Sequence, residues 1–242
     1  MPNNFALIPA RSGSKRIKNK NLLEISGHPL IAYTISSAKQ SGIFTQIVVS
    51  TNSPEIKQVA ESYGAFVPQL RPEEFSHDLS PDLGWVDLAI NNWLSAADAD
   101  IYSILRPTNP LRMPDTIKNA FDLISKNQTA DSLRAVRPIK EHPSKVWRIK
   151  DSILEPLDYE VNLLTGTHNH SSPLQALEKL YIQDASLEFQ KVASLRKFKS
   201  ISGKQVIPFT MPGYEGFDIN YVEDFEYLNY LVQGKKVSLP QI

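Results

Sequence analysis

Phe5, Ala6, Leu7 and Ile8 form a continuous apolar run with the length of a buried strand, and Pro9 ends it. The ten residues from Arg11 to Lys20 then carry five cations, Arg11, Lys15, Arg16, Lys18 and Lys20, with Gly13 among them. No Asp or Glu precedes Glu24, so the first loop is purely positive in a chain whose 26 Lys and Arg are balanced by 26 Asp and Glu. A buried strand that opens directly into a basic loop containing Ser and Gly suits a polyphosphate, because backbone N–H groups and side-chain cations converge there. The competing reading is a solvated basic turn. The loop contains neither G-x-x-x-x-G-K-[ST] nor G-x-G-x-x-G, which sets aside the two commonest phosphate-binding loops.

The rest of the chain repeats the rhythm of strand and helix. Leu22 to Ile25 continue extended, and Gly27-His28-Pro29 turn into a helix with Leu30, Ile31, Tyr33, Thr34, Ile35 and Ala38 on its apolar stripe and Gly42 at its end. Ile47 to Ser50 reads as a second buried strand. Pro54 opens a helix through Ile56, Val59 and Ala60 that stops at Gly64, and Phe66-Val67 is a short extended piece. Leu70 to Asp78 is a polar loop, and Ser80-Pro81 reads as an N-cap with a first-turn proline before a helix carrying Trp85, Val86, Leu88, Ala89 and Trp93. Tyr102 to Leu105 is another strand, followed by the loop Arg106 to Arg112 and a helix from about Pro114.

This order points to an α/β fold, a mostly parallel twisted sheet flanked by helices. In such sheets ligands sit outside the carboxyl ends of the strands, where the basic loop, Ser50 to Asn52, and Arg106 to Arg112 all fall. From about Arg137 the rhythm changes. Residues 145–149 and 153–156 alternate as a hairpin, and 158–178 read as a long polar loop. We expect one domain over 1–242, with about 138–175 as a β-hairpin and loop insert serving as a dimerisation arm or lid. After it come strands at 181–182 and 187–189, a short helix at 192–198, an edge strand at 206–209 and a final helix at 222–231.

Composition narrows the function classes. Charge balance argues against a protein that coats nucleic acid or an anionic membrane, and the absence of cysteine excludes disulfides, thiolate metal sites and Cys nucleophiles. No run approaches eighteen apolar residues and no signal-peptide pattern is present, so we expect a cytoplasmic protein. His168-Asn169-His170 has a metal-like spacing without acidic or Cys neighbours, His142 is a candidate substrate contact, and Trp85 and Trp93 read as core.

Ala10, Arg11, Ser14, Lys15, Lys20 and Asn21 match the N-terminal signature of the cytidylyltransferases that activate acidic sugars, the CMP-sialic acid synthetase group. Leu70-Arg71-Pro72-Glu73-Glu74-Phe75 with Asp78 resembles that family's L-R-P-x-E-L loop, and Pro107 to Arg112 resembles its P-T-S-P-L-R. Phe217-Asp218-Ile219-Asn220 followed by Glu223-Asp224-Phe225 resembles its D-I-D-x-x-x-D-F segment. The resemblance implies a nucleotide-diphospho-sugar-transferase-like, Rossmann-like fold and a homodimer. It implies attack by the anomeric hydroxyl of a 2-keto-3-deoxy acidic sugar on the α-phosphate of CTP, with Mg2+ as cofactor. By the same resemblance Arg11, Ser12, Gly13, Ser14, Lys15 and Lys20 hold the nucleotide, with Lys20 nearest the reacting phosphate, and Asn21 and Arg71 contact cytosine or ribose. Arg11, Lys20 and Asp218 carry the catalysis, and Asp218 and Asn220 ligate the metal. Arg106, Thr108, Asn109, Arg112 and Lys145 are the candidates for the sugar.

Four departures fall near the acceptor or the metal, one of them Asn109 in place of the Ser of P-T-S-P-L-R. Asn220 stands in place of the second acid of D-I-D, Arg106 in place of a common Gln, and Ile182 to Glu188 in place of R-P-N-G-A-I-Y, without its Arg or its Tyr. They favour a legionaminic, pseudaminic or other variant acidic sugar over N-acetylneuraminate. Two alternatives stand beside this reading: a 3-deoxy-octulosonate cytidylyltransferase, and a CTP-binding homologue that has lost catalysis.

Overall fold

The computed structural model describes residues 3–93 and 99–242. The chain divides into two compact units, residues 1–135 with 184–242, and residues 136–183. The first unit is built on β1 (Asn3–Pro9), β4 (Gln46–Ser50) and β5 (Ala99–Ile104), where β1 pairs in parallel with both neighbours. Between β1 and β4 lie β2 (Glu24–Ile25) and β3 (His28–Pro29), a two-residue hairpin whose turn, Ser26 and Gly27, has φ of 51° and 84°. Both central residues are left-handed, as a tight hairpin turn requires. Before it, Lys20–Leu22 form a single 3-10 turn, so the extended run read over Leu22 to Ile25 begins one residue later, at Leu23.

The helices follow the expected order: α1 (Leu30–Gln40), α2 (Pro54–Ser62), α3 (Asp82–Leu88), α4 (Pro114–Lys126), α5 (Val192–Phe198) and α6 (Val222–Gln233). Helix α3 runs on into a π-helical turn, Ala89–Trp93. Ser80 does not cap α3. Its hydroxyl accepts from His77 N–H at 3.1 Å and donates to the Glu74 carbonyl at 2.9 Å, tying the preceding loop, and Pro81 takes the N-cap position in extended conformation.

The remaining strands are β6 (Ser132–Pro138), β7 (Trp147–Lys150), β8 (Ile153–Pro156), β9 (Tyr181–Lys191) and β10 (Val206–Thr210). The six-stranded sheet has the order β10-β6-β9-β5-β1-β4, so β10 is an edge strand as its proline requires. Strand β6 escaped the sequence reading, and the two fragments at 181–182 and 187–189 prove to be one strand. In both, charged or polar residues interrupt the apolar run. Strand β9 is antiparallel to β5, pairing Glu188 with Ile104, so the sheet is mixed and the residues just before Glu188 emerge at the carboxyl end of β5.

Strand β1 sorts the core. Phe5 and Leu7 face Trp85 and Val86 of α3 and Val192 and Leu195 of α5, while Ala6 and Ile8 face α1, α2 and α4. A third cluster, with Ile17, Ile25, Leu30, Tyr33, Leu111, Ile219 and Leu228, seats α6 and fixes the 217–220 segment. No helix among the described residues is long and apolar enough to cross a membrane.

In the second unit β7 and β8 form the expected antiparallel hairpin, turned by Asp151 and Ser152 at φ of 48° and 65°. The 158–178 stretch is a loop with a Val161 to His168 bridge and two short 3-10 turns.

Leu7 is 1% exposed on β1, an interior strand of the sheet with a parallel neighbour on each side. Leu7→Ala should therefore cost about 3 kcal/mol, as truncation of a buried leucine does. Urea denaturation measures it, and a loss below about 1 kcal/mol would mean that β1 is not the packing centre of the sheet.

Candidate active site

Because β4, β1 and β5 are parallel, the loops after them leave from one edge of the sheet. There they line a cleft of about 670 Å³ with Arg11, Ser14, Lys15, Lys20, Asn21, Arg71, Asp82, Trp85, Arg106, Thr108, Ala185, Asp218 and Asn220. A more open hollow of about 810 Å³, walled by Ser12, Gly13 and Asn52, shares Arg11, Lys15, His77, Asp78 and Ser80 with it.

The basic loop is braced from below. Asn52 Oδ1 accepts from Ser12 N–H at 2.8 Å and from its hydroxyl at 3.1 Å, and the buried Asn21 amide donates to the Arg11 carbonyl at 3.1 Å. Gly13, at φ 79°, supplies the left-handed residue at the loop's crest. Arg11 Nη2 and Lys15 Nζ each lie 2.6 Å from a different oxygen of Asp78. Hydrogen bonds from Lys15 and then Arg11 hold the Asp78 carboxyl down at about 2.

Lys20 reaches back to the other end of the sequence, donating to the Ile219 carbonyl at 2.8 Å. Burial lowers its pKa, opposed by the charge of Asp218 and reinforced by Arg16. Asn220 donates its amide N–H to Asp218 Oδ2 at 2.7 Å, whereas Asp218 Oδ1 is buried without a hydrogen-bond partner. Asp224 caps α6, accepting from the N–H groups of Asn220 and Tyr221 at 2.8 Å.

Arg71 lines the cleft but is 5% exposed. Its Nε and Nη2 donate at 2.8 Å to the Ser50 hydroxyl and carbonyl, and its guanidinium lies 4.8 Å above the Trp85 ring. Burial brings its pKa down to about 10. Trp85 is thus more than core, since its indole also donates to Asp82 Oδ1 at 2.8 Å. Burial works against the charge of Asp82, but Arg106, the indole and Arg71 outweigh it and keep the pKa below the usual carboxylate value.

The sugar-side residues divide. Arg106 and Thr108 line the cleft. Asn109 is wholly buried, its amide donating to the Phe217 carbonyl at 3.0 Å, which makes it a clamp between the β5–α4 loop and the 217–220 segment. Arg112 is 1% exposed and is spent on Thr34 Oγ1 and the Arg106 and Ser186 carbonyls. Burial brings its pKa down to about 9 and, with one per cent of its surface exposed, leaves no edge of the fork open to a ligand. Lys145 belongs to the second unit, where its ammonium is held by the carbonyls of His170 and Ser172. In that unit His142 is buried between Ser144 N–H and the Glu178 carbonyl, a structural role in place of a substrate contact. His168 stacks on His170 and bonds the Tyr159 carbonyl. Among the described residues no group of three His, Cys, Asp or Glu side chains has metal-holding geometry.

Sequence reasoning missed Asp82, Glu188 and Arg134. Glu188, flanked by Leu187 and Phe189, and Arg134, flanked by Leu133 and Ala135, are charges inside apolar strand runs, and that pattern was the available signal.

A family model described as cytidylyltransferase matches residues 5–237. The chain belongs to the cytidylyltransferase family. Within that family it is 40% identical over 231 residues to a pseudaminic acid cytidylyltransferase of Campylobacter jejuni, covering 94% of this chain and 95% of the relative. It is 43% identical over 141 residues to a CMP-N,N'-diacetyllegionaminic acid synthase of Legionella pneumophila, covering 58% of this chain and 60% of that one. The chain spans 60%, 43% and 52% of the length of three of the curated relatives it matches. A solved CMP:2-keto-3-deoxy-manno-octonic acid synthetase complexed with CTP superposes with a TM-score of 0.67 at 17% identity, over 96% of this chain and 99% of that one. At that identity the likeness speaks for the cytidylyltransferase fold.

The burial of Arg112 predicts the outcome of Arg112→Gln. The variant should lose about 3 kcal/mol of stability, because carbonyls of this cytidylyltransferase core lose their donors. Thermal denaturation checks it, and unchanged stability would return Arg112 to the candidates for substrate.

Proposed function

We propose that this chain is a CMP-sugar synthetase that transfers CMP from CTP to the anomeric hydroxyl of an acidic 2-keto-3-deoxy sugar of the legionaminic, pseudaminic or sialic type. In this reaction the hydroxyl oxygen bonds to the α-phosphorus, the bond to the β-phosphate bridging oxygen breaks, and pyrophosphate leaves. The observation that carries the reading is the convergence of Arg11, Lys15 and Lys20 with the bare Asp218 Oδ1 in one cleft. Such an arrangement holds a triphosphate and neutralises the charge that develops as pyrophosphate departs.

Arg11, Lys15 and the N–H groups of Gly13 and Ser14 bind the phosphates in this scheme. Asp78 then gives up the two cations to them. Lys20, fixed on the Ile219 carbonyl, faces the reacting phosphate. Asn21 keeps the loop in shape through Arg11, and Arg71 with Trp85 walls the nucleoside. Asp218 Oδ1 and the Asn220 amide oxygen are the oxygens that would hold Mg2+. The buried, unpartnered carboxylate oxygen suits a cation that takes one or two protein carboxylates and completes its shell with phosphate and water. Held there, Mg2+ would supply screening of the phosphate charge.

With CTP as donor, we read the enzyme as cytoplasmic. We also read residues of about 138–175 as the arm of a homodimer. Ile149, Ile153, Leu163 and Leu164 there are 76%, 66%, 98% and 83% exposed, more apolar surface than a solvated hairpin needs. Sedimentation analysis should return twice the 27.2 kDa chain mass, and Ile149→Asp with Leu163→Asp should return the monomer. A wild-type monomer would remove the arm from this reading.

The decisive assay is pyrophosphate release from CTP and Mg2+ with N,N'-diacetyllegionaminic acid, pseudaminic acid and N-acetylneuraminate, against ATP, GTP and UTP. One sugar should react, with CTP alone. Asp218→Ala should lower kcat at least about a hundredfold with the fold intact. CTP binding without pyrophosphate release from any sugar would overturn the synthetase reading in favour of a nucleotide binder.

A further inference from the structure

One wall of the cleft holds an ion-pair chain that the scheme above leaves without a task. Arg106 Nη2 donates to Asp82 Oδ2 at 2.6 Å and to Glu188 Oε1 at 3.3 Å, and the second oxygen of Glu188 is paired with Arg134. Arg134 is in turn anchored to the Ile201 carbonyl at 3.1 Å and the Ser202 hydroxyl at 2.8 Å. The inner pair is buried, whereas the side chains of Arg106 and Asp82 are 27% and 30% exposed in the cleft wall. The chain therefore runs from the interior to the ligand space and ends in a cation.

Two properties of that cation single it out. Its hydrogen bonds to protein all leave from Nη2, and among the described residues none leaves from Nη1 or Nε. A guanidinium has five N–H donors in a fixed fork, so an edge of Arg106 remains in the cleft for a ligand, whereas Arg112 is buried. Charge counting points the same way. Arg71, Arg106 and Arg134 lie against Asp82 and Glu188, three guanidiniums to two carboxylates, and the surplus positive charge equals the charge of one carboxylate. The Arg106 and Glu188 exchanges noted in the sequence are also partners in one ion pair.

A long arginine side chain loses rotamer freedom when it grips a ligand, and fixing it beforehand removes that cost from binding. We propose that Asp82 and Glu188 are positioning residues that fix Arg106 as the anchor for the acceptor's carboxylate, so that this chain of ion pairs sets the affinity for acidic acceptors. The proposal rests on the CMP-transfer reading of the cleft. Asp82 also takes the Trp85 indole beneath Arg71, whereas the hydrogen bonds of Arg106 go to Asp82 and Glu188, so Arg106→Gln is the substitution that separates the two substrates.

The test is steady-state pyrophosphate release by wild type, Arg106→Gln, Asp82→Asn and Asp82→Glu, varying the acidic sugar at saturating CTP and then the reverse. Glu188→Gln leaves Arg134 buried against a neutral partner and is the variant at risk of not folding. Asp82, at the cleft wall, keeps the question open to experiment. Arg106→Gln should raise the KM for the sugar about tenfold, with kcat and the KM for CTP changing less than about threefold; Asp82→Asn should raise the sugar KM as well, and Asp82→Glu should recover part of that loss. An unchanged sugar KM in both variants, or an equal rise in the CTP KM for Arg106→Gln, would overturn the assignment while the synthetase reading stands. Should wild type release no pyrophosphate with any of the three sugars, that reading falls. Calorimetric titration of the same sugars into wild type and Arg106→Gln then decides. Weaker binding to the variant supports the anchor, and equal or absent binding overturns it.

Discussion

Five cations within ten residues repel one another, and the way the fold disperses that repulsion organises the site. Arg11 and Lys15 share Asp78, Arg16 stacks over the Tyr221 ring at 5.1 Å, and Lys20 rests on the Ile219 carbonyl beside Asp218. The partners come from the loop before α3 and from the segment before α6, so the basic loop draws two remote parts of the chain to the end of β1. Like charges a few ångströms apart in a half-buried cleft cost far more than in water, and each of these four is met by an acid, a carbonyl or an aromatic face. Lys18, which has no such partner among the described residues, is exposed. The Asp78 contacts are solvent-accessible and therefore weak, which suits the proposed release of both cations to phosphate.

Buried arginines need a different account. Arg112, Arg71 and Arg134 are all desolvated, and their pKa values fall for that reason, yet each is satisfied by carbonyls, hydroxyls or an acid. Arg112 ties α1, the β5–α4 loop and the start of β9 through Thr34, the Arg106 carbonyl and the Ser186 carbonyl. It fixes the loop from which Arg106 projects. What separates a structural arginine from a ligand-binding one in this molecule is the number of fork edges already occupied, a quantity that residue type and motif position do not encode.

That distinction explains what was legible in the sequence. Helices α1, α2, α4, α5 and α6 and strands β1 and β4 were readable because apolar periodicity and Gly or Pro punctuation agreed. The convergence of the basic loop with Asp218 and Asn220 was readable from family motifs, although some 200 residues of sequence separate them. Strand β6 and the middle of β9 were not, because Arg134 interrupts the apolar run of the first and Gln183, Asp184 and Ser186 that of the second, and the pairing of Arg134 with Glu188 is what makes those two charges tolerable inside a sheet. Asn109 and Arg112 sit within a recognised motif, but their burial depends on how the loop after β5 folds back against 217–219, a long-range fact. Lys145 is a cation near a turn in sequence, and its capture by two carbonyls of the following loop is equally non-local.

Asp82 links the two halves of the cleft. One oxygen takes the Trp85 indole, whose ring underlies Arg71, itself pinned to the end of β4 through Ser50; the other takes Arg106 at the end of β5. The two walls of the cleft are thus joined by one carboxylate on the first turn of α3, and the loop before that helix carries Asp78 against Arg11 and Lys15. For the transfer proposed above, a bridge between the two binding surfaces would hold the attacking oxygen near the α-phosphorus. Seating that bridge on Trp85, 1% exposed in the core cluster under β1, makes the spacing of the site a property of the packed sheet and not of its loops.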